Sequence, residues 1–238
     1  MTEKNYLADY AKSFNWAGFF LPKITYNDCS KLYSFCRILD NVADEGRDLK
    51  VKTKRFNEIK NNFNNTDQSN SEEKQTINQN QYVTIVDDMS VLADNNKINR
   101  IIINDLIEGV ESDLKRKIKF SSVKDLLIYS YRVAGTVGLM MAKILNVKNR
   151  DALKSAIDLG IAMQLTNISR DIVEDASNNR FYITSDFSSI RETLKLADKF
   201  YKSSFSSINK IPIGFRFAIL VARRVYREIG YNILKKKN

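Results

Sequence analysis

The sequence predicts an almost entirely α-helical protein, and three observations carry that reading. Apolar residues recur every three or four positions through long segments. Glycine and proline, the punctuation of strands and tight turns, number only 8 and 2 in 238 residues. Two segments carry a core-seeking apolar arc beside a separate line of short polar side chains. The length suits one large domain, so residues 1–238 are expected to form a single helical bundle around a central cavity.

Residues 1–16 read as a short amphipathic helix, in which Ser13 could bind a phosphate or cap the helix end. Pro22 closes that region before the next element. Residues 25–45 form a helix with Leu32, Phe35, Leu39, Val42 and Ala43 on its core side. Tyr33, Arg37, Asp40 and Asp44 stand at i, i+4, i+7 and i+11, one polar stripe within about 60°. Arg37 could equally be an ordinary i+3 partner of Asp40. Residues 48–66 continue at helical period with many lysines. Residues 61–81, rich in Asn, Gln and Ser, read as a mobile polar connection within the domain. A short helix is expected over 82–93 and a longer one over 97–118. The acids of the latter, Asp105, Glu108, Glu111 and Asp113, are expected to be mostly solvated.

Residues 122–146 hold Tyr129 and the pair Gly135 and Gly138. Each glycine costs a helix ~1 kcal/mol relative to Ala. Close approach of a ligand or tight packing of another helix would each account for them. Met140 and Met141 are expected to fill the core. A helix over 149–176 is ended by Asn178-Asn179-Arg180, and Phe181-Tyr182 opens a flap. Helices over 186–207 and 212–236 close the chain. Lys235-Lys236-Lys237 suits a helix C-terminus and could also touch an anionic membrane surface.

Composition removes several chemistries. There is no histidine, which excludes a Ser-His-Asp triad, a His base and His-ligated metal. Cys29 and Cys36 lie about 10 Å apart along one helix, too far for a disulfide. A reduced, cytoplasmic setting is expected. The polar stretch Met1–Tyr10 is not expected to be a signal peptide, and the longest nearly uncharged run, 133–142, is half the ~20 residues of a membrane span. The net charge of +10 reflects either a chain-wide taste for lysine or attraction to anions such as diphosphates and acidic lipids. Peripheral contact with the inner face of a membrane is therefore an accompanying expectation. Nucleic acid is not expected, because the charge is dispersed and no recognition motif occurs.

The organising stretch is 164–182. Read as a helix, Gln164, Asn167, Asp171 and Asp175 fall within about 80° beside the apolar stripe Ile161, Leu165, Ile168 and Ile172. Asn and Asp are poor helix formers, so something other than propensity placed them there. If the two polar stripes face one another, four aspartates line one cavity. Their mutual repulsion is relieved by a divalent cation. Mg²⁺ takes one or two carboxylates and completes its shell with water and substrate phosphates. Arg37, Arg170 and Arg180 are candidate clamps for a diphosphate. No G-x-x-x-x-G-K-[ST] loop is present, which argues against ATP or GTP. The remaining inward residues are apolar and aromatic, suited to a long lipid tail. A fifteen-carbon isoprenoid contributes on the order of 10 kcal/mol before ordering costs.

Three segments carry a family resemblance: Arg37-Ile-Leu-Asp40-Asn-Val-Ala-Asp44, Tyr129-Ser-Tyr-Arg-Val-Ala-Gly135-Thr-Val-Gly138, and Gln164-Leu-Thr-Asn167-Ile-Ser-Arg-Asp171-Ile-Val-Glu-Asp175. From about Ser13 to Tyr226 the chain resembles the squalene/phytoene synthase family, nearest to its bacterial phytoene-forming members. The resemblance implies the isoprenoid synthase type of all-α fold. It implies head-to-head condensation of two prenyl diphosphates through a cyclopropylcarbinyl diphosphate. Two geranylgeranyl diphosphates giving phytoene is the leading expectation. Dehydrosqualene, squalene or presqualene diphosphate from farnesyl diphosphate, or a non-catalytic assembly factor on the same fold, are the alternatives. It further implies Mg²⁺, or Mn²⁺ in its place, at Asp40, Asp44, Asn167, Asp171 and Asp175. Substrate contacts fall to Ser13, Tyr33, Arg37, Gln164, Arg170, Arg180 and Tyr226. Tyr129 would serve the cation or a proton transfer, and NADPH is not expected. The chain departs from the family pattern at Asn41, in its Asn179-Arg180-Phe181-Tyr182-Ile183-Thr184 flap, and in being shorter around 50–100 and at the C-terminus.

Overall fold

A computed structural model describes residues 21–44, 48–65 and 81–236. The helix expected over 1–16, and Ser13 with it, lie outside the described residues. The first helix, α1 (Lys23–Asp44), buries Cys29, Leu32, Phe35, Leu39 and Val42 at three- and four-residue steps. Helix α2 (Leu49–Asn65) is rich in lysine, yet Phe56, Ile59 and Phe63 form one fully buried stripe. Positions 61–65 of the expected polar connection therefore belong to this helix, because Phe63 anchors them. Helices α3 (Gln81–Asn95) and α4 (Arg100–Glu111) complete a first core with Met89, Ile103, Leu106 and Ile107. Asn99 caps α4 by accepting from the Ile101 N–H.

The helix expected over 97–118 stops early. After Glu111 the chain tightens into a 3₁₀ turn (Ser112–Leu114) and reaches a two-residue strand, β1 (Ile118–Lys119). Helix α5 (Val123–Ser130) starts on Ser122, whose hydroxyl accepts from the Asp125 N–H. It passes through a π turn (Tyr131–Gly135) into α6 (Thr136–Ile144). The Thr136 N–H reaches back to Tyr131 O, the i→i−5 bond of a π-bulge.

Helix α7 (Arg150–Arg170) is the central rod. It starts on Asn149, which accepts from Asp151 and Ala152, and ends at Asp171 (φ −98°, ψ 17°). The short α8 (Ile172–Ser177) follows, so the single helix expected over 149–176 is broken at its first aspartate. The Asp171 N–H still bonds to Asn167 O and the Asp175 N–H to Asp171 O, so the break is a bend in a continuing spiral. Asn179, at φ 59°, turns the chain into β2 (Arg180–Phe181), which pairs in parallel with β1. Helices α9 (Phe187–Phe205) and α10 (Ile213–Lys236) finish the bundle.

A second core forms around α7 from Leu126, Ile161, Leu165, Ile168, Ala197 and Tyr201. The seam of α7 with α6 and the π turn before it is backbone on backbone. A Cβ on Gly138 would sit 2.2 Å from Ala156 O, and one on Gly160 would sit 2.2 Å from Ala134 O. Tight helix packing thus accounts for Gly138, one of the two readings open from sequence. Among the described residues no helix is long and apolar enough to cross a membrane.

Candidate active site

The polar stripe of α1 and the flap that follows the bend after α7 are joined by the Arg180–Asp44 ion pair, beside an apolar chamber. The chamber has a volume of about 310 Å³. Its rim carries Tyr33 from α1, Gln164 and Asn167 from α7, and Tyr226 from α10. Lining positions on α7 run from Ser155 to Asn167, so at ~1.5 Å per residue the chamber follows that helix for about 18 Å. The walls are Leu32, Val137, Met141, Leu159, Met163 and Ala218, with Leu145, Ile211 and Phe215 among the remaining lining. Met140 is buried core as expected, and Met141 packs against the same core while also lining the chamber.

The carboxylates gather beside that rim. Arg180 Nη2 donates to Asp44 Oδ1 at 2.7 Å, joining the flap to α1. Asp40 opens to solvent on one side. The protein around it, then the charge of Asp44, push its pKa up to about 7, against the pull of Arg37. Asp175 is also pushed up to about 7, by desolvation and then by Asp171, with Arg180 opposing. Arg170 holds Asp171 bidentately, its Nε and Nη2 each 2.7 Å from a carboxylate oxygen. Arg37 lies near enough to Asp40 and Tyr33, and Arg170 to Tyr226, for their charges to act on one another. The residues predicted from the two stripes therefore share one site.

Tyr129 lies behind the chamber wall rather than in it. The chamber wall on its helix is formed by Val133, Ala134, Val137, Gly138 and Met141, not by Tyr129. Its hydroxyl donates to Asp113 Oδ2 at 2.8 Å and lies 2.9 Å from the Tyr182 hydroxyl. Tyr182 donates in turn to Asp113 Oδ1 at 2.9 Å. The two rings stack at 4.7 Å, and Phe120 tilts against both. Asp113 was expected in solvent. The 3₁₀ turn instead tucks it against the tyrosines, and burial raises its pKa while Arg180 and the two hydroxyls oppose. Burial raises Tyr129 well above the ordinary phenol range. Asp105 and Glu108 are also engaged, with Tyr131 and Arg132 respectively. Asp113 and Tyr182 are the site residues that sequence reasoning missed. The only available signal was a second tyrosine directly after the flap's Arg180-Phe181.

The donor set suits a hard divalent cation. It consists of carboxylate and amide oxygens, without sulfur or imidazole. Asn167 Oδ1 is buried and accepts no hydrogen bond, an orphaned acceptor of the kind a cation would satisfy. Among the described residues, no three acidic or thiol side chains already converge into a cation cage.

Fold and site together define an all-α, isoprenoid-synthase-type protein with carboxylates beside an apolar chamber. The squalene/phytoene synthase family matches residues 7–189, and the chain belongs to that family. A 15-cis-phytoene synthase of Paracoccus sp. is 36% identical over 149 residues, covering 55% of this chain and 49% of that protein. The chain thus matches about half the length of that curated relative. A 4,4'-diapophytoene synthase of Staphylococcus haemolyticus is 33% identical, covering 76% of this chain and 63% of that one. The crystal structure of a dehydrosqualene synthase in complex with ligand superposes with a TM-score of 0.79 at 27% identity. That likeness covers 97% of this chain and 84% of the other.

Proposed function

We propose that the protein condenses two prenyl diphosphates head to head, most simply two geranylgeranyl diphosphates to phytoene, through a cyclopropylcarbinyl diphosphate. The observation that carries this reading is the apolar chamber of about 310 Å³ whose polar rim, Tyr33, Gln164, Asn167 and Tyr226, lies beside two groups of carboxylates. The chamber would hold the tails and exclude water, while the rim fixes which end reacts. Asp40, Asp44, Asn167, Asp171 and Asp175 would hold Mg²⁺, or Mn²⁺ in its place. When bound, the metal would neutralise diphosphate and make it a leaving group. Arg37, Arg170 and Arg180 would take diphosphate oxygens. The paired rings of Tyr129 and Tyr182 present aromatic faces and a hydroxyl relay beside Asp113, suited to steadying a cation or moving a proton. Phytoene formation is redox-neutral, so NADPH is not required.

The 4,4'-diapophytoene relative and the dehydrosqualene synthase neighbour favour a second reading, with farnesyl diphosphate as substrate. One experiment tests both. Labelled geranylgeranyl and farnesyl diphosphates are supplied separately with Mg²⁺ and the lipid extract is analysed. A condensed C40 or C30 hydrocarbon is expected. Absence of hydrocarbon and of cyclopropyl diphosphate from either substrate would count decisively against head-to-head chemistry.

A further inference from the structure

Arg180 ties the flap to the acidic stripe of α1. It is ion-paired to Asp44 at the end of α1, and its side chain is only 12% exposed. Its charge also acts on Asp40 of α1, on Asp113 in the 3₁₀ turn and on Asp175 of α8. These acids would otherwise face each other with like charges. Its backbone is held in place. The left-handed Asn179 turns the chain there, the Ile118 N–H bonds to Asn179 O at 3.0 Å, and the Phe120 N–H bonds to Phe181 O at 3.3 Å. The long guanidinium arm can therefore move while its root stays fixed. Arg170, by contrast, is taken up by its own neighbour Asp171.

We infer that Arg180 is the site's own stand-in cation, which occupies Asp44 of α1 before metal arrives and makes divalent-cation binding depend on diphosphate. The inference rests on the metal-diphosphate reading above. A bare divalent ion must compete with a guanidinium already paired to Asp44, and it brings no anion to replace that partner. A metal–diphosphate complex brings an anion to which Arg180 can transfer its hydrogen bonds, so displacement costs little. Metal and diphosphate then bind with positive coupling, and Arg180 is the element through which they are coupled. In this role Arg180 is a positioning residue for the empty site as well as a clamp for the filled one.

The test measures Mn²⁺ binding by electron paramagnetic resonance, with no turnover involved. Wild type is expected to bind Mn²⁺ weakly alone and about tenfold or more tightly with inorganic pyrophosphate. Arg180→Gln is expected to bind Mn²⁺ without pyrophosphate about tenfold tighter than wild type and to lose most of the pyrophosphate effect. Arg180→Lys, which keeps the charge, should stay near wild type. Arg180→Ala provides a second neutral variant, and melting curves check that each is folded. Equal Mn²⁺ affinity in wild type and both neutral variants would overturn the inference. So would tight binding by Arg180→Gln that survives added Asp44→Asn and Asp171→Asn, since the ion would then lie elsewhere. Failure of the condensation reading would show separately, as absent hydrocarbon in the product assay.

Discussion

Asp171 sits at a helix break with its carboxylate partly exposed and gripped by Arg170 from the adjacent position. An ion pair in that setting contributes little to stability. Asp40 likewise opens to solvent. Asp171→Asn and Asp40→Asn are therefore expected to lower kcat by roughly 10²-fold or more while leaving the melting temperature nearly unchanged. Steady-state kinetics beside thermal melts check both halves; full activity in both variants would remove the metal role. Tyr129 is a different case, because its hydroxyl is buried and shared with Asp113 and Tyr182. Tyr129→Phe keeps the stacked ring but removes one donor. Turnover is expected to fall by about 10²-fold, with the aromatic packing preserved, as near-ultraviolet circular dichroism would report. At this scale the stripes were legible because their spacing is local: four positions along one helical spiral, even one bent at Asp171, determine one face. Asp113 was not legible. Its surroundings come from Tyr129, 16 positions later, and Tyr182, 69 positions later.

Between elements, α7 meets α6 and the π turn before it backbone to backbone, where Gly138 meets Ala156 O and Gly160 meets Ala134 O. Added Cβ atoms there would push backbone rather than a flexible side-chain tip. Gly160→Ala is expected to destabilise the fold by about 1–3 kcal/mol, read as a shift of the urea midpoint at unchanged m-value. The glycine pair of 122–146 was visible in the sequence, but which surface pressed on it was not. The bend at Asp171 was equally hidden. A hydrophobic stripe continuing past the break reads as one straight helix, and only the backbone angles at Asp171 separate α7 from α8. The π turn at Tyr131–Gly135 left no mark either, since one inserted residue is invisible in an apolar pattern.

For the whole molecule, the measurable property is the length of the chamber. Ala218 lines it from α10 and is itself 5% exposed. Replacing it with phenylalanine fills space that a prenyl tail would use. Ala218→Phe is expected to cut turnover of geranylgeranyl diphosphate by roughly tenfold or more relative to farnesyl diphosphate, measured as a ratio of kcat/KM values in one preparation. An unchanged ratio would mean that the tails lie elsewhere.

What the amino-acid order determined by itself was the class of fold, most helix positions, and which side chains line up as acidic rungs, because helical period and side-chain chemistry act within a few residues. The tertiary structure alone decided that Arg180 bridges the flap to Asp44, that Asp113 joins two tyrosines, and that glycine seams draw α6 onto α7. Those contacts join residues far apart in the chain, and their partners are chosen by how the helices pack, which no local spacing encodes.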